Sequence, residues 1–566
     1  MTSTPHSRSA AIAGVSLLVG VGLVSAAFSP SIAGAAPKGR ISLTEIGTYE
    51  TGQFDESAAE IVAHDPETQQ LFVVNAQKGA IDVLDISAPS APTLVATLIA
   101  DGPVNSVAVR DGYIAVAVEA DPNQDPGWVQ FFAVEDVEDV DAEAVATVQV
   151  GALPDMVTFT PDGTKVVVAN EGEPDGYCLD EEGNAGDPEG SISIIDVSGG
   201  IDKVTQDHVS PVGFTAFDDQ IDELRAAGVR IFGPEATVAQ DLEPEYVVVD
   251  ADSTTAWVGL QENNALAIVD LATATVTDIV PLGFKDHSLA GNALDPSNRD
   301  GGIAIANWPV RGMYMPDGMD AYEFGRRTYI VTANEGDARD YDCYSEEIRI
   351  GSLDLDETAF PNADDLQENV NLGRLNSTTS FDTTGFERVL NDDGQLGFVP
   401  LRDPATQLYS YGARSFSIWD ESGGLVFDSG DDFEQITARL IPTEFNSNND
   451  ENGSFDSRSD DKGPEPEGIE IAQVFSKTYA FIGLERVGGI MVYDITTPRN
   501  PKFVEYVTGR DFTGDAEAGT AGDLGPEGLT FIAPADSPNG RPLLVVANEV
   551  SGSTTIFQID GPGRSR

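Results

Sequence analysis

A pattern of three short strands recurs along the chain and limits the folds open to it. In one copy, residues 154–159 are a short apolar strand, residues 160–163 (TPDG) are a turn, and residues 166–169 and 191–197 are two further strands. We find seven such copies. Their second and third strands read LFVV/AIDVLDI, IAVAV/WVQFFAV, KVVVA/SISIIDV, TAWVGL/ALAIVDL, TYIVTA/RSFSIWD, YAFIGL/GIMVYDI and LLVVA/STTIFQI.

The repeat predicts an all-β fold, a seven-bladed β-propeller. Short β-rich segments separated by turn residues are typical of all-β arrays, and seven units of three to four strands suit a propeller. A β-sandwich or a solenoid is the alternative. The last copy ends after its third strand, whereas residues 41–49 (ISLTEIGTY) are an unassigned strand before the first copy. Pairing the two would remove an exposed edge, so we expect the N-terminal strand to close the last blade.

The N-terminus is typical of an export signal. Arg8 precedes an apolar run at 10–28, and Ala-Gly-Ala at 33–35 is a small-x-small cleavage site. A membrane anchor is the alternative for this run. We expect residues 1–35 to be the signal peptide and residues 36–566 to be one secreted propeller, monomeric and without a membrane span. Three long insertions are predicted, at about 198–243, 336–410 and 430–465, and such loops are often functional.

The charge balance excludes two classes of partner. The chain has 95 acidic and 31 basic residues, a formal net charge of −64. Nucleic-acid backbones and anionic lipids both need a basic face, so neither is an expected partner.

Acidic residues occupy equivalent positions in the repeats. In a propeller, the innermost strand begins on the face where its neighbour ends, so these two positions meet around the channel. The first-strand starts are Glu60, Asn105, Asp155, Glu245, Asp317, Glu467 and Glu527. The second-strand ends are Ala76, Glu119, Glu171, Glu262, Glu335, Glu485 and Glu549.

Carboxylates crowded in this way predict a metal site. Like charges at close range are costly unless they are protonated or neutralised by cations. Oxygen-only ligands suit hard cations, so Ca²⁺ or another divalent ion is the expected cofactor. The alternative is that each acid accepts backbone N–H groups of its own blade. The aspartate that closes most third strands, such as Asp85 or Asp494, is expected to serve the following turn.

Three residues are candidates for catalysis. Arg339 and Arg458 could hold phosphoryl oxygens beside a metal, and His287 could be a ligand or proton donor. Salt bridges and a structural histidine are the alternatives. Two further residues, Cys178 and Cys343, lie in corresponding loops of the third and fifth copies. Export places them in an oxidising setting, which predicts a disulfide between them; two free thiols are the alternative.

Several motifs resemble the choice-of-anchor I family. They are AAEIV at 58–62, NEGEP at 170–174, VAQDLEPEY at 238–246, LQENNA at 260–265, NEGDAR at 334–339 and RSDDKGPEPEG at 458–468. That family is similar to the mesenchyme-specific cell-surface glycoproteins of biomineralising cells, and its bacterial members are often labelled alkaline phosphatase. The resemblance implies a secreted or surface-anchored β-propeller.

The leading hypothesis is a secreted propeller that binds divalent cations and acts in mineral or phosphate handling outside the cell. Its expected partners are metal ions, phosphate-containing small molecules or a mineral surface. The alternative is a metal-dependent phosphoesterase, in which the metal activates water and the arginines hold the phosphoryl group. A lactonase-like hydrolase is a third possibility that rests on fold analogy.

Overall fold

The computed structural model describes residues 40–139, 142–180, 183–391 and 394–562. The predicted signal peptide, residues 1–35, lies outside these ranges. Within them, seven four-stranded antiparallel sheets follow one another along the chain, and we call them blades 1 to 7. No helix among the described residues is both long and apolar enough to cross a membrane.

The strands of each blade are given from the innermost outwards. Blade 1 is Val62–Asp65, Gln70–Asn75, Ala80–Asp85 and Thr93–Ile99; blade 2 is Val104–Arg110, Tyr113–Val118, Pro126–Ala133 and Ala146–Ala152. Blade 3 is Pro154–Phe159, Lys165–Asn170, Ser191–Asp196 and Val209–Gly213; blade 4 is Pro244–Val249, Thr255–Leu260, Ala265–Asp270 and Thr275–Pro281. Blade 5 is Met319–Glu323, Thr328–Asn334, Ser415–Asp420 and Leu425–Asp428; blade 6 is Pro466–Val474, Lys477–Leu484, Ile490–Asp494 and Lys502–Val507. Blade 7 is Pro526–Ile532, Leu543–Asn548, Ser553–Asp560 and Ser42–Glu50.

The blades form a closed ring. Each innermost strand contacts the innermost strand of the next blade, and Pro526–Ile532 of blade 7 contacts Val62–Asp65 of blade 1. The N-terminal strand Ser42–Glu50 pairs antiparallel with Ser553–Asp560 as the outer strand of blade 7. The predicted all-β propeller and its closure by the N-terminal strand are therefore confirmed.

The core lies between neighbouring blades. The second strands Gln70–Asn75 and Leu543–Asn548 are buried along their whole length. Such strands are continuous apolar runs because both faces are covered, which explains the repeat seen in the sequence. Phe72 of blade 1, for example, packs in one cluster with Val116 of blade 2.

Most aspartates that close the third strands serve turns, as expected, whereas Asp560 accepts from the Thr44 hydroxyl at 3.1 Å. Asp85 accepts the Ser87 N–H at 2.7 Å. Asp494 accepts the Thr496 N–H at 3.1 Å and its hydroxyl at 2.6 Å.

The connections differ in part from the predicted insertions. Residues 198–243 include the outer strand Val209–Gly213 of blade 3, so this segment is only partly an insertion. The repeat pattern does not predict the long connection between blades 4 and 5, residues 282–318, because this segment has few strand-like runs. It contributes Phe284–Asp286 and Val310–Met313, which form a small sheet with Leu408–Ser410.

The remaining elements of the connections are short. The α-helices are Ile221–Ala227, Val238–Asp241, Ala363–Leu366 and Asp432–Leu440. The paired strands are Asp340–Tyr341 with Tyr344–Ser345, Glu347–Arg349 with Asn376–Thr378, and Thr383–Leu390 with Leu396–Arg402. The 3₁₀ turns are Ala76–Lys78, Val134–Asp136, Ile201–Lys203, Gln206–His208, Thr215–Gln220 and Ile350–Ser352.

A disulfide joins the loops of blades 3 and 5. Cys178 and Cys343 are bonded, with their Cα atoms 5.0 Å apart, in the expected pairing. Beside the bond, the Tyr177 ring packs edge-on against Tyr341 and Tyr344, with centroids 5.5 and 5.4 Å away. The two loops are thus one packed unit.

Candidate metal centre

Six of the predicted acids line two cavities between the inner strands. A cavity of about 220 Å³ is lined by Asp155, Glu171, Glu245, Asp317 and Glu527, which come from blades 3, 4, 5 and 7. A second cavity of about 470 Å³ shares Asp317 and Glu527 and adds Glu467 and Glu470. The two cavities therefore share part of their lining. The acids that open the first strands or follow the second strands are called the carboxylate ring: Glu60, Asp155, Glu171, Glu245, Asp317, Glu335, Glu467, Glu485, Glu527 and Glu549.

A repeated backbone turn places these acids. The residue before the proline at the start of the inner strand, or just before it in blade 5, has a left-handed φ in four blades: Leu153 (45°), Met315 (43°), Glu465 (49°) and Gly525 (67°). In blade 3, the Glu171 N–H donates to the Leu153 carbonyl at 2.9 Å, and in blade 7 the Glu549 N–H donates to the Gly525 carbonyl at 2.7 Å. The first-strand acid and the second-strand acid of a blade are therefore held side by side.

Two glycines bring the inner strands together. A Cβ on Gly468 would lie 1.7 Å from the Glu527 carbonyl oxygen, and one on Gly528 would lie 2.2 Å from the Glu60 carbonyl oxygen. No larger side chain fits there without moving backbone. The Pro-Glu-Gly motif of blades 6 and 7 therefore combines a ring acid with a close approach to the next blade.

Three ring carboxylates have the geometry of a metal site. One oxygen each of Asp317, Glu335 and Glu467 lies within 4.8 Å of the others. Several ring oxygens are buried without a hydrogen-bond partner among the described residues, namely Oε2 of Glu245, Glu467 and Glu527. A buried carboxylate oxygen without a donor is costly unless it binds a proton or a cation.

The same crowding alters the titration of the ring. Burial and the charge of Glu549 raise the pKa of Glu60 to about 8. Burial and Glu173 raise the pKa of Asp155 to about 7. Burial, followed by neighbouring carboxylates, raises the pKa of Glu467 and of Glu527 well above the ordinary value. The cation-free ring therefore retains protons near neutral pH, and a bound cation would release them.

A second carboxylate triad is neutralised by the protein itself. Glu335, Glu465 and Glu485 also have oxygens within 4.8 Å of one another. Lys462 Nζ lies 2.6 Å from Glu335 and 3.3 Å from Glu465. Arg458 Nη2 lies 2.7 Å from Glu465.

The titration of Glu465 reflects these contacts. Burial alone would raise its pKa, but Lys462, Arg458 and Arg486 together lower it to about 2. On this side of the ring, Lys462, Arg458 and Arg486 balance the carboxylate charge. A cation is therefore needed on the other side, beside Asp317 and Glu467.

Glu262 does not take the predicted ring position. Pro244 pairs with Leu260, so the residue that follows the second strand of blade 4 is Gln261. Gln261 lines the smaller cavity and donates from Nε2 to Glu335 Oε2 at 3.0 Å. Glu262 lies one position further on and is 5% exposed. Its Oε2 has no hydrogen-bond partner among the described residues.

Arg339 is enclosed by carboxylates and lines neither channel cavity. Its Nη1 lies 2.7 Å from Asp241 and its Nη2 lies 2.8 Å from Glu243, and all three side chains are fully buried. Nη2 also donates to the Asp241 carbonyl at 2.8 Å. Its guanidinium lies over the Phe232 ring at 4.5 Å. These contacts use the donors of Arg339, so its placement gives no support to the expected role in holding a phosphoryl group.

The other two candidates for catalysis also have partners within the protein: Arg458 beside the ring and His287 away from it. Arg458 pairs with Asp461 and Glu465 at 2.9 and 2.7 Å. His287 lies in the connection between blades 4 and 5, 1% exposed, with Nδ1 2.7 Å from the Asn292 carbonyl oxygen. Burial, followed by the charge of Lys285, lowers its pKa to about 3. The structure therefore does not bring Arg339, Arg458 and His287 together in one group.

A closed ring of blades around a carboxylate-lined channel makes this chain an acidic β-propeller. The sequence profile of the Choice-of-anchor I domain matches residues 60–498, and the chain belongs to this family.

Two curated relatives are similar over part of their length. Gigasin-3a of Magallana gigas is 32% identical over 173 residues, which are 28% of this chain and 61% of the relative. The mesenchyme-specific cell surface glycoprotein of Strongylocentrotus purpuratus is 27% identical over 295 residues, which are 46% of this chain and 36% of the relative. The chain thus spans less than two thirds of each relative.

Solved structures resemble the chain distantly. Kuenenia stuttgartiensis hydrazine synthase has a TM-score of 0.44 at 12% identity, covering 90% of this chain and 99% of that chain. The WD40 domain of Toxoplasma gondii coronin has a TM-score of 0.42 at 8% identity, covering 94% of this chain and 90% of that chain. At this similarity, the propeller assignment rests on the strand order and the ring contacts.

Proposed function

We propose that this chain is an extracellular propeller that binds divalent cations in its carboxylate ring, with Ca²⁺ as the preferred ion. The observation that carries the proposal is the set of buried ring oxygens without donors on Glu245, Glu467 and Glu527, with Asp317 close to Glu467. Hard oxygen ligands favour Ca²⁺ or Mg²⁺ over softer metals, and Ca²⁺ tolerates the irregular, many-oxygen geometry of such a ring.

The location outside the cell is supported by three independent observations. The N-terminal sequence is typical of an export signal, and a disulfide joins Cys178 and Cys343. One relative is named as a cell surface glycoprotein. We propose that the bound cation links the protein to mineral or phosphate outside the cell, because an ion held at a channel mouth keeps coordination positions for a second ligand.

Metal content and titration test the proposal. Purified protein should contain divalent metal, and after chelation it should bind Ca²⁺ in a calorimetric titration with release of protons. Glu467→Gln combined with Glu527→Gln should weaken binding by at least about tenfold, because two charged ligands are lost. Glu387→Gln, on an exposed strand outside the ring, is the matched control and should bind as the wild type does.

Two results would count against the proposal. Absence of metal in the purified protein together with no Ca²⁺ binding after chelation would leave protonation as the account of the ring. Hydrolysis of a phosphomonoester that chelation abolishes and metal restores would favour the phosphoesterase hypothesis instead.

A further inference from the structure

A cavity away from the channel has a different chemistry from the ring. It has a volume of about 380 Å³ and lies between the segment that follows the helix Ile221–Ala227 and the strand Thr383–Leu390. This volume is within the range of small-molecule sites, about 300–1,000 Å³. Its polar and aromatic lining includes Arg225, Arg230, Ser380, Phe381, Thr384 and Phe386.

The charge of this lining is opposite to that of the chain. The chain has 95 acidic and 31 basic residues, yet the described residues that line this cavity include two arginines and no carboxylate. A cation would find no ligand here. The lining instead combines guanidinium groups, hydroxyls and aromatic rings, which are the groups that bind organic anions.

Arg230 forms part of the wall and has one donor unused. It is 2% exposed. Nη1 donates to the Glu262 carbonyl at 2.5 Å, and Nη2 forms an ion pair with Glu346. Its guanidinium lies 4.2 Å from the centre of the Phe232 ring and 5.9 Å from that of Phe381. The Nε–H is buried without a hydrogen-bond partner among the described residues, which is costly unless a ligand accepts it.

Arg225 supplies the net charge. Because Glu346 offsets the charge of Arg230, the positive potential of the cavity depends on Arg225, which is solvent-exposed. Its Nε donates to the Ile231 carbonyl at 2.8 Å, which fixes the guanidinium plane and leaves the two Nη groups for an anion. Phe381, 37% exposed, offers an apolar surface on the same lining.

We propose that this cavity binds a small organic anion with a flat apolar body. The carboxylate or phosphate group of the ligand accepts hydrogen bonds from Arg225 Nη and Arg230 Nε. The apolar body lies against Phe381 and Phe386. The site is separate from the carboxylate ring, so its occupancy does not require a metal ion.

Four probes in parallel titrations test the inference. Benzoate and phenyl phosphate carry both an anion and a flat apolar body, benzyl alcohol lacks the charge, and inorganic phosphate lacks the body. With the full chain in the presence of chelator, both organic anions should bind saturably at one per chain. The organic anion that binds with the lower dissociation constant shows whether the cavity prefers a carboxylate or a phosphate group. Benzyl alcohol and inorganic phosphate should each bind at least about tenfold more weakly.

Variants assign the binding to this cavity. Arg225→Gln should weaken binding of both organic anions by about tenfold, and Phe381→Ala should weaken it as well. Arg388→Gln is the control, because Arg388 is on the same hairpin strand, is exposed and pairs with Glu235 outside the lining. The proposal is overturned if neither organic anion binds, if benzyl alcohol or inorganic phosphate binds as tightly as they do, or if Arg225→Gln and Arg388→Gln behave alike while circular dichroism shows both folded.

Discussion

Replacing Arg339 by Met decides whether this residue is a structural counter-ion or a ligand for phosphate. The substitution keeps most of the apolar volume and removes the charge. It leaves Asp241 and Glu243 fully buried without the partner that lies 2.7 and 2.8 Å away. Asp241 keeps hydrogen bonds from the Phe232 and Asn263 nitrogen atoms, at 3.0 and 3.1 Å to Oδ2. Glu243 Oε1 has no partner among the described residues even in the wild type.

The expected cost is large. Removal of one partner from a buried ion pair destabilises a protein by about 3–5 kcal/mol, and we expect the free energy of unfolding to fall by this amount at pH 7. Burial already raises the pKa of Glu243 although Arg339 lowers it. Without Arg339 the pKa rises further, so Glu243 takes up a proton more readily. Stability held by a protonated acid is present at low pH and lost as pH rises, so the deficit of the variant should be smaller at pH 5 than at pH 7.

Guanidinium unfolding followed by tryptophan fluorescence and circular dichroism measures this effect. Adding Glu243→Gln to Arg339→Met should recover part of the lost stability, because a neutral amide replaces the unpaired charge. The control is Arg388→Met, whose partner Glu235 is exposed. Because the Arg388 side chain is 42% exposed, its pair should contribute at most about 1 kcal/mol. A wild-type unfolding curve for Arg339→Met would refute the structural role.

Three further predictions concern the ring and its supports. In chelator, thermal stability should fall as pH rises from about 5 to 8, because the pKa values of Glu60 and Asp155 are raised to about 8 and about 7; saturating Ca²⁺ should flatten this slope. Reducing the disulfide, which closes a loop of 165 residues, should lower the free energy of unfolding by up to about 5 kcal/mol, and equal denaturation curves with and without reductant would contradict this. Gly468→Ala should destabilise the fold and weaken Ca²⁺ binding, since its Cβ would lie 1.7 Å from the Glu527 carbonyl oxygen, whereas Gly199→Ala, with nothing within 4 Å, should leave melting and binding unchanged.

The propeller could be predicted because its signals are local. Each blade buries its second strand on both faces, so an apolar run such as Gln70–Asn75 is visible in the sequence without knowledge of its neighbours. Turn residues mark the strand ends, and an unpaired edge at each terminus indicates how the ring closes. The ring acids followed from the same local register.

The remaining features depend on contacts between distant segments. The pairing of Pro244 with Leu260 places Gln261 rather than Glu262 at the ring, a one-residue difference that the repeat could not settle. Arg339 and Asp241 are 98 residues apart in the sequence, so the sequence alone does not show that carboxylates enclose Arg339. The motif VAQDLEP at 238–244 contains Asp241 and Glu243, the two partners of Arg339, and is the sequence feature that could have indicated this contact. The cavity at Arg230 brings together two insertions and has no motif of its own.

The shared blade at the chain ends sets an order for folding. Ser42 pairs with Asp560, so the strand Ser42–Glu50 cannot pair until the strand Ser553–Asp560 is present. During synthesis or export, six blades can assemble in sequence while the segment Ser42–Glu50 stays unpaired. Contacts of such long sequence separation form slowly, and the open circle exposes strand edges until they do. Truncation after residue 552 removes the partner strand Ser553–Asp560 and should leave a chain that cannot complete its circle and is prone to aggregate.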